Sequence, residues 1–428
     1  MDIPQGYKQT ELGIIPEDWE IVNLGSVAKI NGRIGFRGYT TADLVGVGQG
    51  AYTIGGKHIT NMVLDLHDAE YISWQKYYES PEIMVRKGDI VFAQRGTLGK
   101  SAFIVNDIGP ATINPSLGLI NKIKCDNEYL SYWLQCDKIV EYICSINSQT
   151  SIPMITQNQI EHIPVVLSRI KAEQQAIAEA LGDIDGLIAT LDKKIAKKRL
   201  IKQGAMSQLL TGKKRLPGFS DPWVEKKLGE IGYTYSGLTG KSKDDFGQGN
   251  AKYITFLNVL ANPILKENLF GSITIRENEQ QNKVQFGDLF FNTSSETPED
   301  VGTCAVLLSY HEELYLNSFC FGYRLTDDNV LGLYLGRQLM TSLAQGATRY
   351  NLSKELFNAS RIILPETKDE QIAIATMLND MDKEIDDLEA QRDKYRLLKS
   401  GMMQKLLTGQ IRLTKPLTNV VPLVPGDS

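Results

Sequence analysis

Histidine is scarce in this chain, with four among 428 residues, and the five cysteines (Cys125, Cys136, Cys144, Cys304, Cys320) include no Cys-x-x-Cys pair. These absences exclude a zinc site of close-set thiolates and imidazoles, and the odd cysteine count points to reduced thiols in a cytoplasmic protein. No apolar run approaches the ~20 residues needed to span a bilayer. The start, MDIPQGYKQTELG, lacks the cationic-then-apolar order of a secretory signal. Neither sign of charge dominates: 46 Lys and Arg stand against 51 Asp and Glu, a net charge of −5. Nucleic-acid binding would therefore have to rest on local patches rather than overall basicity.

Catalytic signatures are also missing. Gly99-Lys100-Ser101 resembles the end of a phosphate loop, but Gln94 stands where that loop needs its first glycine. Gly46–Ala51 grazes a dinucleotide fingerprint without a strand before it or a helix after it. Asp221 to Lys227 has its carboxylates too close in sequence for a nuclease pair, and no Asn-Pro-Pro-Tyr amino-methylation motif is present. The expectation is a chain without catalytic, metal or cofactor site. A self-contained methyltransferase or nuclease is disfavoured on the same ground.

What is present is a repeat. EQQAIAEALGDID at 173–185 returns as EQIAIATMLNDMD at 370–382, and RLIKQGAMSQLLTGKKRL at 199–216 returns as RLLKSGMMQKLLTGQIRL at 396–413. The offset is 197 throughout, and across the whole span 173–216 against 370–413 22 of the 44 paired positions are identical without a gap, so the chain is one module duplicated.

Each copy predicts a long helix. Ile374, Leu378, Met381, Ile385, Leu388, Arg392, Tyr395, Lys399, Met402 and Leu406 follow heptad steps. Their counterparts are Ile177, Leu181, Ile184, Ile188, Leu191, Ile195, Lys198, Lys202, Ala205 and Leu209. Thr367 to Glu370 fits a capping box, and Gly212 and Gly409 suit the residue after a helix end. Gly204 and Gly401, matched inside the helices, suggest close helix–helix approach or a bend. A helix of this length measures ~57 Å. Two such helices cover each other's stripes best if antiparallel, since one leads away from the first globular segment and the other leads back from the second.

The globular segments echo each other more faintly. WEIVNLGS at Trp19 pairs with WVEKKLGE at Trp223, VRKGDIVF (85–92) with VQFGDLFF (284–291), and Asn114-Pro-Ser with Asn317-Ser-Phe. Tyr52 and Tyr253 each follow a Gly-Gln-Gly. Short β-prone runs (AYTI, DIVFA, SAFIV, GLINKI; KYITFL, DLFFNT, CAVLL, FGYRL) precede one helix in each segment, 128–146 and 330–345. The fold class is α+β: two sheet-rich domains joined by two long antiparallel helices as a coiled coil, with a pseudo-two-fold internal repeat. The segments are 1–165 and 213–365 for the domains, 166–212 and 366–413 for the helices, and 414–428 for a Pro-rich tail.

The EQ-x-A-I-A helix starts, the L-L-T-G helix ends, the paired W-x₄-L-G segment starts and the G-D-[IL]-x-F strands resemble the specificity subunit of type I restriction–modification systems, over residues 7–413. The resemblance implies that each domain is a target-recognition domain reading half of a bipartite, asymmetric site on double-stranded DNA. It implies that the helices act as spacer and dock two copies of a methyltransferase subunit, to which a restriction/translocase subunit adds. S-adenosylmethionine, ATP and Mg would then belong to the partners. No TAEL-type repeat lies between the halves, and the sub-family stays open. Half-sites read from one DNA face lie about 34–36 Å apart, which predicts roughly 5–8 unread base pairs between two different blocks. A coiled-coil scaffold that joins proteins without touching DNA would explain the helices, but not two loop-rich duplicated domains.

Arginine and lysine pair with guanine or phosphate, and Asn or Gln with adenine. The candidate readers in the first domain are Arg33 and Arg37 of a Gly-rich loop, Lys57, and Gln94, Arg95 and Lys100 of the loop after the GDIVF strand. In the second they are Lys241, Lys243, Asn292 and Arg349.

Overall fold

The computed structural model describes residues 3–60, 62–146, 153–292, 303–346 and 353–413. The tail at 414–428 lies outside them. Both long helices form, Lys171–Leu209 and Lys368–Leu406, each of 39 residues. Every seam position named above is buried or half-buried, so heptad spacing alone located the covered stripe. Both helices end as expected: Gly212 and Gly409 take φ of 71° and 68°, the left-handed region open to glycine.

One expectation fails, and one alternative of a second. The capping box at Thr367 does not form: the Thr367 hydroxyl is buried without a partner among the described residues, and the Glu370 carboxylate turns to Arg215. A charge-assisted pair outcompetes a cap made to backbone N–H. Gly204 and Gly401 do not mark close helix approach, because a Cβ built on either meets nothing within 4 Å.

The residues fall into two compact units, 1–190 with 391–428, and 191–390. Each unit takes one globular segment and a length of each long helix. In the first, an antiparallel four-stranded sheet runs Ser101–Phe103, Ile90–Ala93, Leu117–Asn121, Lys29–Gly32. A second sheet runs Ala111–Ile113, Ala51–Ile54, Glu70–Ile72, Leu44–Val45, its first pair parallel. Trp19–Asn23 and Pro164–Ser168 pair antiparallel, which brings the start of the segment beside its end. The run expected as one helix over 128–146 is two, Asn127–Trp133 and Asp137–Ser145, with Cys136 extended between them.

The second unit repeats this topology. One sheet runs Cys304–Val306, Leu289–Asn292, Cys320–Leu325, Gly232–Ser236. The other runs Leu314–Leu316, Phe246–Ile254, Phe270–Ile273, again with a parallel first pair. Trp223–Lys227 pairs with Arg361–Pro365. The GD strands are apolar on both faces for a reason visible in the cores. Ile90 and Phe92 enter one cluster while Val91 and Ala93 enter another, and Leu289 and Phe291 are divided from Phe290 in the same way.

Within each unit the helix lengths pair antiparallel. In the second, Lys198 meets Glu384 and Lys202 meets Asp382, so the partner number falls as the first rises. In the first, Lys399 Nζ lies 2.7 Å from Asp185 Oδ1. Lys202–Asp382 and Lys399–Asp185 are the same pair at the repeat offset.

The helix ends follow the same rule. Leu209 and Leu210, which end the first helix, lie in the core of the second unit, whereas Leu406 and Leu407 lie in the core of the first. Each fully buried leucine contributes about 1.5–3 kcal/mol. Just beyond, Arg215 grips Glu370 at 2.5 and 2.6 Å and lies over the Trp223 ring, 5.7 Å from its centroid. Arg412 grips Glu173 and Asp18 and lies over Trp19 at 5.6 Å. Burial opposes the Arg412 charge, but the two carboxylates outweigh it and the guanidinium pKa rises. Each module is thus closed by the end of the helix that begins in the other.

Candidate nucleic-acid interface

In the first module, backbone pairing brings three loops together. Ile54 and Ile113 are partners in the parallel pair, so both strands leave the sheet on the same side. Asn114 N–H donates to the Ile54 carbonyl at 2.8 Å, and the Asn114 amide then accepts from the Ser116 N–H (2.9 Å) and hydroxyl (2.6 Å). A Cβ on Gly55 would approach the Asn114 amide to 2.6 Å, which explains glycine there. The Ala93↔Leu117 register puts the third loop alongside, with Gln94 and Arg95 N–H both on the Ser116 carbonyl. Gly96 and Gly99, at φ 80° and 78°, turn that loop back, so Lys100 rejoins the strand through its carbonyl at Ala93 N–H.

The three loops surround a cleft of about 440 Å³ whose lining includes Lys57, His58, Glu70, Arg95, Thr97, Lys100, Asn114 and Ser116. Lys57 is exposed and pairs with Asp68 at 3.3 Å. Neither the Arg95 nor the Lys100 side chain has a hydrogen bond or ion pair among the described residues. His58 takes the Gly55 N–H on Nδ1 at 2.9 Å, and burial first, then Lys57, lowers its pKa. Three cations, one of them already paired with Asp68, share the cleft with the Glu70 carboxylate, the Asn114 amide and the Thr97 and Ser116 hydroxyls, and the cations suit guanine edges and phosphate oxygens.

Three of the six first-module candidates, Lys57, Arg95 and Lys100, line this cleft. Gln94 is adjacent but spends its amide on the Leu117 carbonyl at 3.0 Å. Arg33 is buried, donating to the Ile113 carbonyl (3.1 Å) and the Thr112 hydroxyl (3.0 Å) and capped by the Tyr39 ring, so it holds the fold rather than meeting a ligand. Arg37 pairs with Glu82 at 3.3 Å. Charge and loop context do not single out Thr97 or Ser116. The pairing of Asn114-Pro-Ser with Asn317-Ser-Phe was the signal that could have placed Ser116.

The second module builds the same frame. Asn317 N–H donates to the Ile254 carbonyl, and the Asn317 amide accepts from Phe319 N–H at 2.9 Å. Thr255 caps the helix Phe256–Ala261. The side chains differ: Leu257 and Phe319 are 70% and 65% exposed, with Phe256 edge-on to Phe319 at 6.2 Å.

Two second-module candidates are turned inward. Asn292 is fully buried at its strand end. Lys241 is enclosed by the Thr274 carbonyl (2.7 Å) and Glu279, and its hydrogen bond draws the Glu279 carboxyl down to about 2. Lys243 is exposed on a short turn, Lys243–Asp245. Arg349 lies outside the described residues.

Among the described residues no group of three or more His, Cys, Asp or Glu could hold a metal, and no helix is long and apolar enough to cross a membrane. Burial raises the Cys125, Cys136 and Cys320 thiols to about 11, which disfavours thiolate chemistry there at neutral pH.

The type I restriction modification DNA specificity domain matches the chain twice, over residues 16–198 and 220–395. The chain belongs to this family. As a DNA specificity chain it is 25% identical over 448 residues to a putative type I restriction enzyme MjaX specificity subunit from Methanocaldococcus jannaschii, covering 96% of this chain and 97% of that one. It is 30% identical over 225 residues, half of each protein, to the MjaVIII specificity subunit of the same organism. The fold is shared with a type I S subunit from M. genitalium (TM-score 0.56, 14% identity, 95% of this chain and 98% of that one). It is shared equally with a chain from a type I restriction–modification assembly (TM-score 0.57, 15% identity, 93% and 99%).

Proposed function

We propose that this specificity chain reads a bipartite, asymmetric site on double-stranded DNA, one block per module, and does no chemistry itself. Two methyltransferase subunits and a restriction/translocase subunit would act at the site it selects, in the cytoplasm, and S-adenosylmethionine, ATP and Mg would be theirs. The observation that carries the reading is one backbone frame used twice with different side chains on the same loops. Lys57 and Ser116 of the first module stand where the second has Leu257 and Phe319. Two readers of unlike chemistry fit two unlike half-sites.

A docking face presented twice supports two copies of one partner. Leu200 and Leu397, at the repeat offset, are 68% and 77% exposed, and each is followed by a second exposed apolar residue, Ile201 or Leu398. Isolated exposed leucines are ordinary, but the same exposed pair retained at both positions suits a protein contact.

The test is methylation-sensitive sequencing of DNA modified by the assembled complex, before and after residues 213–365 are exchanged for those of a relative. One half-site should change and the other persist. A change in both halves, or modification without sequence preference, sinks the reading.

A further inference from the structure

We propose that the second module recognises its half-site through thymine C5-methyl groups in the major groove, using Leu257 and Phe319. The inference rests on the proposal that matching loop faces of the two modules meet DNA. The geometry makes the correspondence residue by residue. Ile54↔Ile113 and Ile254↔Leu316 are equivalent partners of parallel strands. Counting out from them, Lys57 corresponds to Leu257. Asn114 corresponds to Asn317, each making the same turn with the N–H two residues on, so Ser116 corresponds to Phe319.

Where the first module places an ammonium and a hydroxyl, the second therefore places an isobutyl group and a phenyl ring. Both are largely exposed, and the ring is steadied edge-on by Phe256. Such groups cannot hydrogen-bond a base edge or hold a phosphate. In the major groove the thymine methyl is the apolar feature that distinguishes one base pair from the others, and apolar side chains contact it. Each offers a small exposed apolar face for a methyl of that half-site. The first module, with Lys57, Arg95 and Lys100, would be indifferent to those methyls.

The experiment replaces thymidine by deoxyuridine, which removes the methyl and leaves every hydrogen-bonding group in place. Once both half-sites are mapped, binding of the assembled complex is measured on duplexes carrying deoxyuridine in one half-site or the other. Removing a contacted methyl should weaken binding about four-fold, in the second module's half-site only. Leu257→Ala and Phe319→Ala should each lower affinity for the thymidine duplex and abolish the thymidine–deoxyuridine difference at one position. Thermal unfolding of each variant checks that an exposed substitution has left the fold intact.

Equal binding of thymidine and deoxyuridine duplexes, or a second half-site without thymine, overturns the proposal while leaving the two-reader function standing. So does a sharp bend of the DNA that vanishes in Phe319→Ala, since it would make the pair a wedge between base steps. Failure of the function itself would show differently, as binding without any half-site preference.

Discussion

The helix-end clusters of the two units are near copies, while the loop faces are not. Arg215 on Glu370 over Trp223 and Arg412 on Glu173 over Trp19 use the same residue types, with each guanidinium at a matching distance from its ring. The loops keep the same backbone hydrogen bonds yet exchange lysine for leucine and serine for phenylalanine. The difference separates two physical demands. Removing the cation from a buried carboxylate is costly, so the cluster resists single changes. A loop fixed through its main chain can take any side chain its turn allows, so one frame carries two recognition chemistries.

The largest test of this comparison removes the cation from the frame. Arg412→Ala leaves Glu173, which is fully buried, without its cation and, among the described residues, with only the Trp19 Nε1–H and the Ser168 hydroxyl donating to it, and should cost about 3 kcal/mol in the first unit. Arg215→Ala should do the same to Glu370 in the second. Denaturant unfolding of the full chain, followed by tryptophan fluorescence, reports both. If one variant is near neutral, the two clusters are not equivalent.

A smaller effect divides the loops from the frame inside the first module. Arg95→Ala should weaken specific DNA binding by the complex about ten-fold, within the range of one lost base-edge pair, without changing the unfolding midpoint. Arg33→Ala should do the reverse, costing about 1–3 kcal/mol through the unpaired Ile113 carbonyl while altering affinity little. Coupled loss of both properties in Arg95→Ala would make that residue part of the frame.

The smallest effect concerns the matched glycines. A Cβ at Gly204 or Gly401 meets nothing, so alanine at either should stabilise the helix by about 0.8–1 kcal/mol. If the alanine variants instead lose assembly with the methyltransferase, the glycines serve the partner surface, a role compatible with their neighbours Leu200 and Leu397.

Legibility followed the range of the interaction. The heptad seam from Ile374 to Leu406, the left-handed Gly212 and Gly409, and the GD strands depend on neighbours within a few residues, and their spacing sufficed. The break at Cys136 was not legible, because apolar periodicity runs through it from Tyr129 to Ile143. Among the candidate readers, charge and loop context could not separate Arg33 and Lys241, buried against carbonyls and a carboxylate, from Arg95 and Lys100 on the cleft. Residue type signals a capacity for contact, and only folding shows whether that capacity is spent internally.

By itself the sequence determined that the chain is one module written twice, that its helices lie antiparallel, and that their seam is heptad-spaced. These follow from periodicity and chain order. Only the tertiary structure decided that the end of each helix completes the module in which the other helix begins, that Glu370 takes Arg215 instead of a cap, and that Leu257 stands in the place of Lys57. Each of these joins residues dozens to hundreds apart, where hydrophobic burial and the need to pair a desolvated charge choose the partner and local pattern carries no record of it.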